Sequence, residues 1–307
     1  MAKKKKKRNW PFVLIFIVGF LILLYPTISR YYYRVGADDN IAQFDEGSKQ
    51  LSDEEVKRRM ALARAFNASL VNNVHDPYSD EEKEAGRAEY ARMLEVHEQM
   101  GHVEIPKINT DIPIYAGTSE EVLQKGAGHL EGTSLPIGGN SSHTVITAHS
   151  GIPTARLFTD LSKLEVGDRF YIHNLNEILA YEVDQIKEVE PSNFEDLLIV
   201  PGHDYATLLT CTPIMINTHR LLVRGHRVPY EPLEEQQLMQ DNKKAMLYRY
   251  AFYLAIALII LLSGLNIRFV KKKKGYEAAY RALKNRDFVS EHNDFLKTDD
   301  DSDGKEG

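Results

Sequence analysis

Two apolar runs, each abutting a block of basic residues, bracket this chain and limit what it can become. Lys3 to Arg8 is a solid basic block ahead of the run from Trp10 to Tyr25, and the run from Leu247 to Leu265 ends at Lys271-Lys272-Lys273-Lys274. About 20 apolar residues cross the hydrocarbon core of a bilayer. The second run has that length, and the first is slightly short. The first run reads as a signal peptide or a membrane anchor. No small-x-small cleavage pattern follows it, and Pro26 to Arg30 leads instead into Tyr31-Tyr32-Tyr33, an aromatic belt that favours an uncleaved anchor. Lys and Arg next to a span mark its cytoplasmic side. With both basic blocks on one side, both termini are expected in the cytoplasm, and the region from Tyr31 to about Lys244 outside the cell membrane. The formal charge is -6, and the basic residues serve the apolar runs, so nucleic acid is not expected as a partner.

Between the runs the pattern changes once. Asp38 to about Asn72 reads as helical. Ser52-Asp53-Glu54-Glu55 has capping-box spacing, and Val56, Met60, Leu62, Ala63 and Phe66 then form an apolar stripe. A break at Asn72 to Tyr78 precedes a second capping pattern, Ser79-Asp80-Glu81-Glu82, whose helix should reach about His97. From Gly101 the segments are short and punctuated. Val103 to Ile108, Asp111 to Tyr115, Val145 to Ala148, Arg169 to His173, Leu179 to Val189, Tyr205 to Cys211 and Arg220 to Val228 have strand character, and Glu120 to Gln124 suggests a helical turn. Short strands with frequent turns predict an antiparallel or mixed barrel or sandwich. The expected organisation is an anchor segment over 1–36, a helical region over 37–100, a mainly β domain over 101–230, a linker over 231–246, a membrane helix over 247–270 and a polar tail over 271–307. That tail is expected to be disordered, and its acidic end, Asp299 to Asp303, lacks the spacing of a calcium loop.

The chemistry concentrates at strand ends. Cys211 is the only cysteine, in Thr207-Leu208-Leu209-Thr210-Cys211-Thr212-Pro213. Pro213 cannot donate to a sheet ladder, so the strand stops there and leaves Cys211 at its end. Nine residues on, Arg220 opens an apolar run that reads as the partner strand of a hairpin. His149 follows Val145 to Ala148 at another strand end. A thiolate is the attacking form of cysteine; a histidine can take the thiol proton and later protonate a leaving amine; a guanidinium can stabilise an oxyanion. A lone strand cysteine is more often a buried small hydrophobe, His149 is one of 11 histidines, and Arg224 and Arg227 compete with Arg220. One cysteine excludes an intramolecular disulfide and argues against a cysteine-rich metal site. No cofactor or metal is expected.

These residues resemble the sortase family. Thr207 to Cys211 matches its Thr-Leu-x-Thr-Cys signature, Thr147-Ala148-His149-Ser150-Gly151 its histidine motif, and Arg220 its arginine position. Ile105 to Ile108, Pro113 to Tyr115, Gly128 to Pro136 and Leu157 to Leu161 extend the likeness over about 101–228. Gly128-His129-Leu130-Glu131-Gly132-Thr133-Ser134-Leu135-Pro136, the run from Asn217 to Gly225 and a C-terminal membrane segment resemble class C, the pilin polymerases. Asp76-Pro77-Tyr78 is similar to the class C lid, with Asp76 and Tyr78 as the covering residues. Ile214-Met215 stands where many class C members have Tyr-Gly, and Tyr78 where others have phenylalanine or tryptophan. The resemblance implies an eight-stranded β-barrel with N-terminal helices and a lid loop, flanked by transmembrane helices. It implies a cysteine transpeptidase that cleaves an LPxTG-like sorting signal between Thr and Gly through a thioacyl enzyme. Transfer to a lysine of another pilin subunit would build a pilus. Cys211 would be the nucleophile, His149 the acid and base, and Arg220 the oxyanion or carbonyl ligand. A housekeeping sortase that anchors proteins to peptidoglycan and a non-catalytic membrane scaffold are the alternatives.

Overall fold

The computed structural model describes residues 10–70, 90 and 92–300. Its eight strands are β1 (Gln99–Ile105), β2 (Thr110–Ala116), β3 (Ala127–His129), β4 (Ser142–Thr147), β5 (Arg169–His173), β6 (Ile178–Val189), β7 (Asp204–Thr212) and β8 (His219–Val228). They close into a barrel in the order β1-β2-β3-β4-β7-β8-β6-β5, and β5 pairs back onto β1. The β2–β3 and β4–β7 pairs are parallel, so the barrel is mixed. Closure leaves no unpaired edge.

Alternation along the strands separates two apolar environments. Ile146 on β4, Leu208 on β7 and Leu221 and Val223 on β8 join Val103, Ile114, Phe170, Ile172 and Tyr181 in the main core. Their neighbours Val145, Leu209 and Leu222 point the other way. With Val189, Leu197 and Leu130 they form a small second cluster on the outside of the β4–β7–β8 wall. Burying each such side chain is worth roughly 1.5–3 kcal/mol. The outer cluster therefore ties the segment around Leu197 to the wall and floors the cleft described below.

Among the described residues, α1 (Trp10–Gln50) and α2 (Asp53–Leu70) precede the barrel. The capping pattern at Ser52 is realised: the Glu55 amide donates to Ser52 Oγ at 3.3 Å, and Asp53, Glu54 and Glu55 place negative charge in the first turn. Met60 and Ala63 enter the main core. Asn67, also buried, donates to the Leu135 carbonyl at 3.1 Å and accepts from the Leu135 amide at 2.8 Å, so its amide acts as a piece of backbone that pins α2. The helical reading from Asp38 started too late, because α1 already runs through the apolar stretch and Pro26. The boundary expected at residue 36 thus falls inside one helix. Leu14, Ile15, Phe20, Leu21, Ile22 and Leu23 of its first half are exposed.

An ionic cluster ties α1 to the barrel. His102 on β1, 4% exposed, places Nδ1 2.8 Å from Asp111 of β2 and Nε2 3.6 Å from Asp45 of α1, the second distance being an ion pair longer than a hydrogen bond. Its ring stacks on that of His173 of β5 at 4.0 Å, and His173 Nε2 is 3.4 Å from Glu104. Burial opposes a charge on His102, but the carboxylates of Asp111 and Asp45 outweigh it and push its pKa up to about 9. The imidazolium in turn holds Asp45 below the ordinary carboxylate value.

Lys244 onward forms a separate compact unit. It lies within a helix that runs from Pro232 to Asp300, here α4, although α3 (Glu120–Lys125) comes earlier in the chain than this helix. Tyr250–Ala278 is long and apolar enough to cross a membrane. Neither the linker expected over 231–246 nor the disorder expected after Gly275 is found up to Asp300, since the helix continues through both. Beyond Gly275 the sequence up to residue 300 is rich in Ala, Glu, Leu, Lys and Arg, all good helix formers. Asp76, Tyr78 and the second capping pattern at Ser79 lie outside the described residues.

Candidate active site

The antiparallel register of β7 and β8 places Cys211 directly opposite Arg220. Opposed positions in such a pair have Cα atoms about 4.5–5.5 Å apart, with side chains on the same face. Going inward along the two strands, the next pair on that face is Leu209 with Leu222, the floor of the outer cluster. The thiol and the guanidinium therefore stand side by side at the rim of an apolar surface. This is the hairpin that the Cys211 to Arg220 spacing predicts.

His149 reaches the same place from the parallel neighbour. β4 pairs with β7 as far as Thr147 and Leu209, and the Ala148 amide continues the pairing to the Leu209 carbonyl at 3.1 Å. Thr210 Oγ1 donates to the Ala148 carbonyl at 2.7 Å, and Ser150 Oγ donates to the Cys211 carbonyl at 2.6 Å. The His149 carbonyl accepts from the Phe158 amide at 3.1 Å. The backbone on both sides of the imidazole is thus fixed to the strand that carries the cysteine. Gly151 follows in the left-handed region, φ +75°, and a Cβ there would lie 2.4 Å from Ile214 Cγ2. Only glycine lets the histidine loop approach the β7–β8 turn this closely.

Cys211, His149 and Arg220 line one cleft of about 320 Å³, together with Val189, Phe194, Leu197, Leu209 and Leu222. Cys211 is a free, half-buried thiol. Arg220 Nη1 donates to the carbonyls of Asn217 at 3.2 Å and His219 at 3.1 Å. The Pro213 carbonyl closes that turn, accepting from the amides of Ile216 and Asn217 at 3.0 and 2.9 Å. The guanidinium is oriented by its own loop, and its other donors have no hydrogen-bond partner among the described residues. Its competitors are committed elsewhere: Arg224 bonds Asp184 at 2.9 Å and lies over the Tyr205 ring at 4.2 Å, and Arg227 pairs with Glu177.

Three further histidines on the barrel are accounted for by burial or by stacking. His129 is fully buried with Nε2 2.9 Å from the Ser134 carbonyl, and burial pushes its pKa down to about 4. His143 bridges the Leu198 carbonyl and Thr207 Oγ1, and burial likewise lowers its pKa. His203 stacks on Tyr205. None of these lines the cleft.

Two features of the cleft were not apparent in the sequence. Phe194 and Leu197 lie between β6 and β7, in a segment without strand or helix periodicity; the signal available was Phe194 followed by the apolar run Leu197-Leu198-Ile199-Val200. Glu120, at the start of α3, places Oε1 3.3 Å from His149 Nε2 without the alignment of a hydrogen bond. Ser119 caps α3, and Gln124 donates to Glu120 at 2.6 Å. Gln124 first, and then the charge of His149, draws the Glu120 pKa below its ordinary value.

Residues 103–228 match the Sortase domain family. Sortase C-1 from Streptococcus pneumoniae is 68% identical, over 63% of this chain and 100% of that one, with a TM-score of 0.58. The chain belongs to the sortase family. The pilus-related sortase C of Group B Streptococcus is 66% identical over 62% of this sortase and 97% of that chain, with a TM-score of 0.56. Sortase A from Bacillus anthracis is more distant, 23% identical over 221 residues that make up 70% of this sortase and 92% of that protein. Sortases are transpeptidases, and the barrel face that carries Cys211, His149 and Arg220 lies wholly inside the matched region of this one.

Proposed function

We propose that this sortase is a membrane-anchored cysteine transpeptidase that joins pilin subunits. The observation that carries the reading is the convergence of Cys211, Arg220 and His149 on one cleft from two strand ends. His149 takes the thiol proton, and the Cys211 thiolate attacks the carbonyl carbon of threonine in an LPxTG-like signal. The oxyanion that forms is met by the Arg220 guanidinium. The C–N bond to glycine breaks, and the leaving amine takes the proton from His149, leaving a thioester on Cys211. The ε-amine of a pilin lysine then attacks the thioester. It loses a proton to His149, the C–S bond breaks, and an isopeptide bond results. The apolar floor of Leu209, Leu222 and Leu197 suits the leucine and proline of the signal, and it excludes water that would hydrolyse the thioester.

Identity of 66–68% to structures of sortase C, one of them described as pilus-related, against 23% to a sortase A, supports the pilin acceptor over peptidoglycan. The exposed apolar half of α1 and Tyr250–Ala278 support two membrane segments. Asp76 and Tyr78 are proposed to cover the cleft and to open for substrate.

The test is mass spectrometry of the full chain in micelles with an LPxTG peptide, followed by addition of a pilin carrying its acceptor lysine. The expected result is an acyl adduct on Cys211, discharged onto the lysine and formed faster in Asp76→Ala/Tyr78→Ala. Discharge only onto a peptidoglycan-type amine would assign the housekeeping reaction. Absence of an adduct in both wild type and the double variant would favour the scaffold.

A further inference from the structure

A second cavity, of about 740 Å³, opens between α1 and the β1–β2 face of the barrel. It is more than twice the size of the cleft and shares no lining residue with it. Its volume falls in the range of small-molecule sites.

The wall is of one chemical kind. Tyr32, Tyr33 and Tyr115 supply aromatic surface, and Tyr32 stands 73% exposed at the edge. Asn40, Gln43, Gln99 and Gln124 supply carboxamides, each able to donate and to accept. Lys125 and Glu98 neutralise each other at 2.8 Å. Gln99 is 4% exposed, yet its Oε1 is buried with no hydrogen-bond partner. An acceptor left in that state costs stability unless something donates to it.

These features select among ligands. An anion would need a cation fixed in the wall; Lys125 is paired with Glu98, which leaves His97 as the other basic group of the lining. An acyl chain would need aliphatic walls, and the lining holds no leucine, isoleucine, valine or methionine. A peptide adding to the sheet would need a free strand edge, but β1 pairs with β2 and β5, and β2 pairs with β1 and β3. A neutral ring with many hydroxyls meets every feature: its C–H faces lie on tyrosine, and its hydroxyls donate to and accept from the amides. We infer that this cavity is a saccharide-binding site, with Tyr32 as the stacking platform and the carboxamides of Asn40 and Gln43 as its polar contacts. Tyr33 lies eight residues beyond Tyr25, at the end of the apolar run, which is about 12 Å along the helix. The sugar can therefore belong to a glycolipid headgroup or to a free or polymeric glycan.

Saturation-transfer NMR on the full chain in dodecylphosphocholine micelles, which carry no sugar, tests this. One arm uses soluble oligosaccharides of glucose and of N-acetylglucosamine; the other uses the same micelles doped with diglucosyl diacylglycerol. Transfer to sugar protons in the first arm identifies a free glycan, and transfer only in the second a headgroup. Gly36 lines the cavity, and a Cβ there meets nothing within 4 Å, so Gly36→Leu fills the space without a backbone clash and favours the helix. The expected result is loss of transfer in Gly36→Leu and at least tenfold weaker binding in Tyr32→Ala, with thermal midpoints no lower than wild type. No transfer at millimolar sugar in either arm, or equal transfer in wild type and Gly36→Leu, overturns the inference.

Discussion

His102 and His149 belong to the same barrel and live in opposite surroundings. His102 is sealed, stacked on His173, bonded to Asp111 and ion-paired with Asp45, so its charge is built into the fold. His149 lines an open cleft and, among the described residues, has one acidic partner, Glu120, whose side chain is 69% exposed. The difference lies in what surrounds the ring. Low dielectric and fixed carboxylates commit an imidazole to one protonation state, which suits a clamp. The other ring lines a cleft beside a solvent-screened carboxylate, the place from which proton transfer is proposed.

The largest effect that sharpens the contrast is at the cleft. Cys211→Ala is expected to abolish the acyl adduct while leaving the thermal midpoint near wild type, because the thiol is half buried and bonded to nothing that holds the barrel. Pilin ladders persisting in that variant would break the proposed reaction. Exchanging the histidines comes next. His149→Ala should slow acylation by about 10²–10⁴-fold, with stability changed by less than about 0.5 kcal/mol. His102→Leu should do the reverse, lowering stability by about 2 kcal/mol, since Asp45 and Asp111 lose their partner. Urea titration and peptide labelling of both variants measure the two effects.

A pH series isolates the clamp. His102 binds a proton more tightly when folded, so its contribution is fully present below pH 6.5 and is lost as the pH rises through about 9. That contribution is on the order of 3 kcal/mol. Asp45, whose pKa is lowered, acts in the other direction, and its share is lost in acid. The difference in unfolding free energy between wild type and His102→Leu should therefore shrink between pH 6.5 and 9.5, and a constant difference would show that His102 is not charged in the fold. The smallest effect is expected for Glu120→Gln. Screening by water limits this pair, so acylation should change by roughly two- to fivefold. An unchanged rate would make the contact incidental.

The sequence exposes what is local. Pro213 marks where β7 stops, the nine-residue spacing sets Cys211 against Arg220, and Ser52 marks the start of α2. It hides what is assembled from afar. β3 is three residues of Ala-Gly-His with no alternation to read, and its parallel pairing with β2 follows from barrel closure. The parallel β4–β7 pair brings His149 to Cys211 across 61 residues of intervening sequence, which no periodicity encodes; a motif resemblance was needed to connect them. The clamp draws Asp45, His102, Asp111 and His173 from four elements, and each alone looks like an ordinary surface residue. The helix through Pro26 was missed because the change from apolar to polar sequence suggested a boundary that the backbone ignores.

That uninterrupted helix sets a height. On the proposed anchoring of its apolar half in a bilayer, the 20 residues from Tyr25 to Asp45 would rise about 30 Å to the level of the clamp, with Tyr33 already bonded to the Lys125 carbonyl on the way. A flexible tether would let the cleft sweep a volume, whereas a rod holds it on a shelf at one level above the lipid. Partners must then bring both the sorting signal and the acceptor amine to that level, and a pilin whose signal lies too close to its own membrane segment could not be reached.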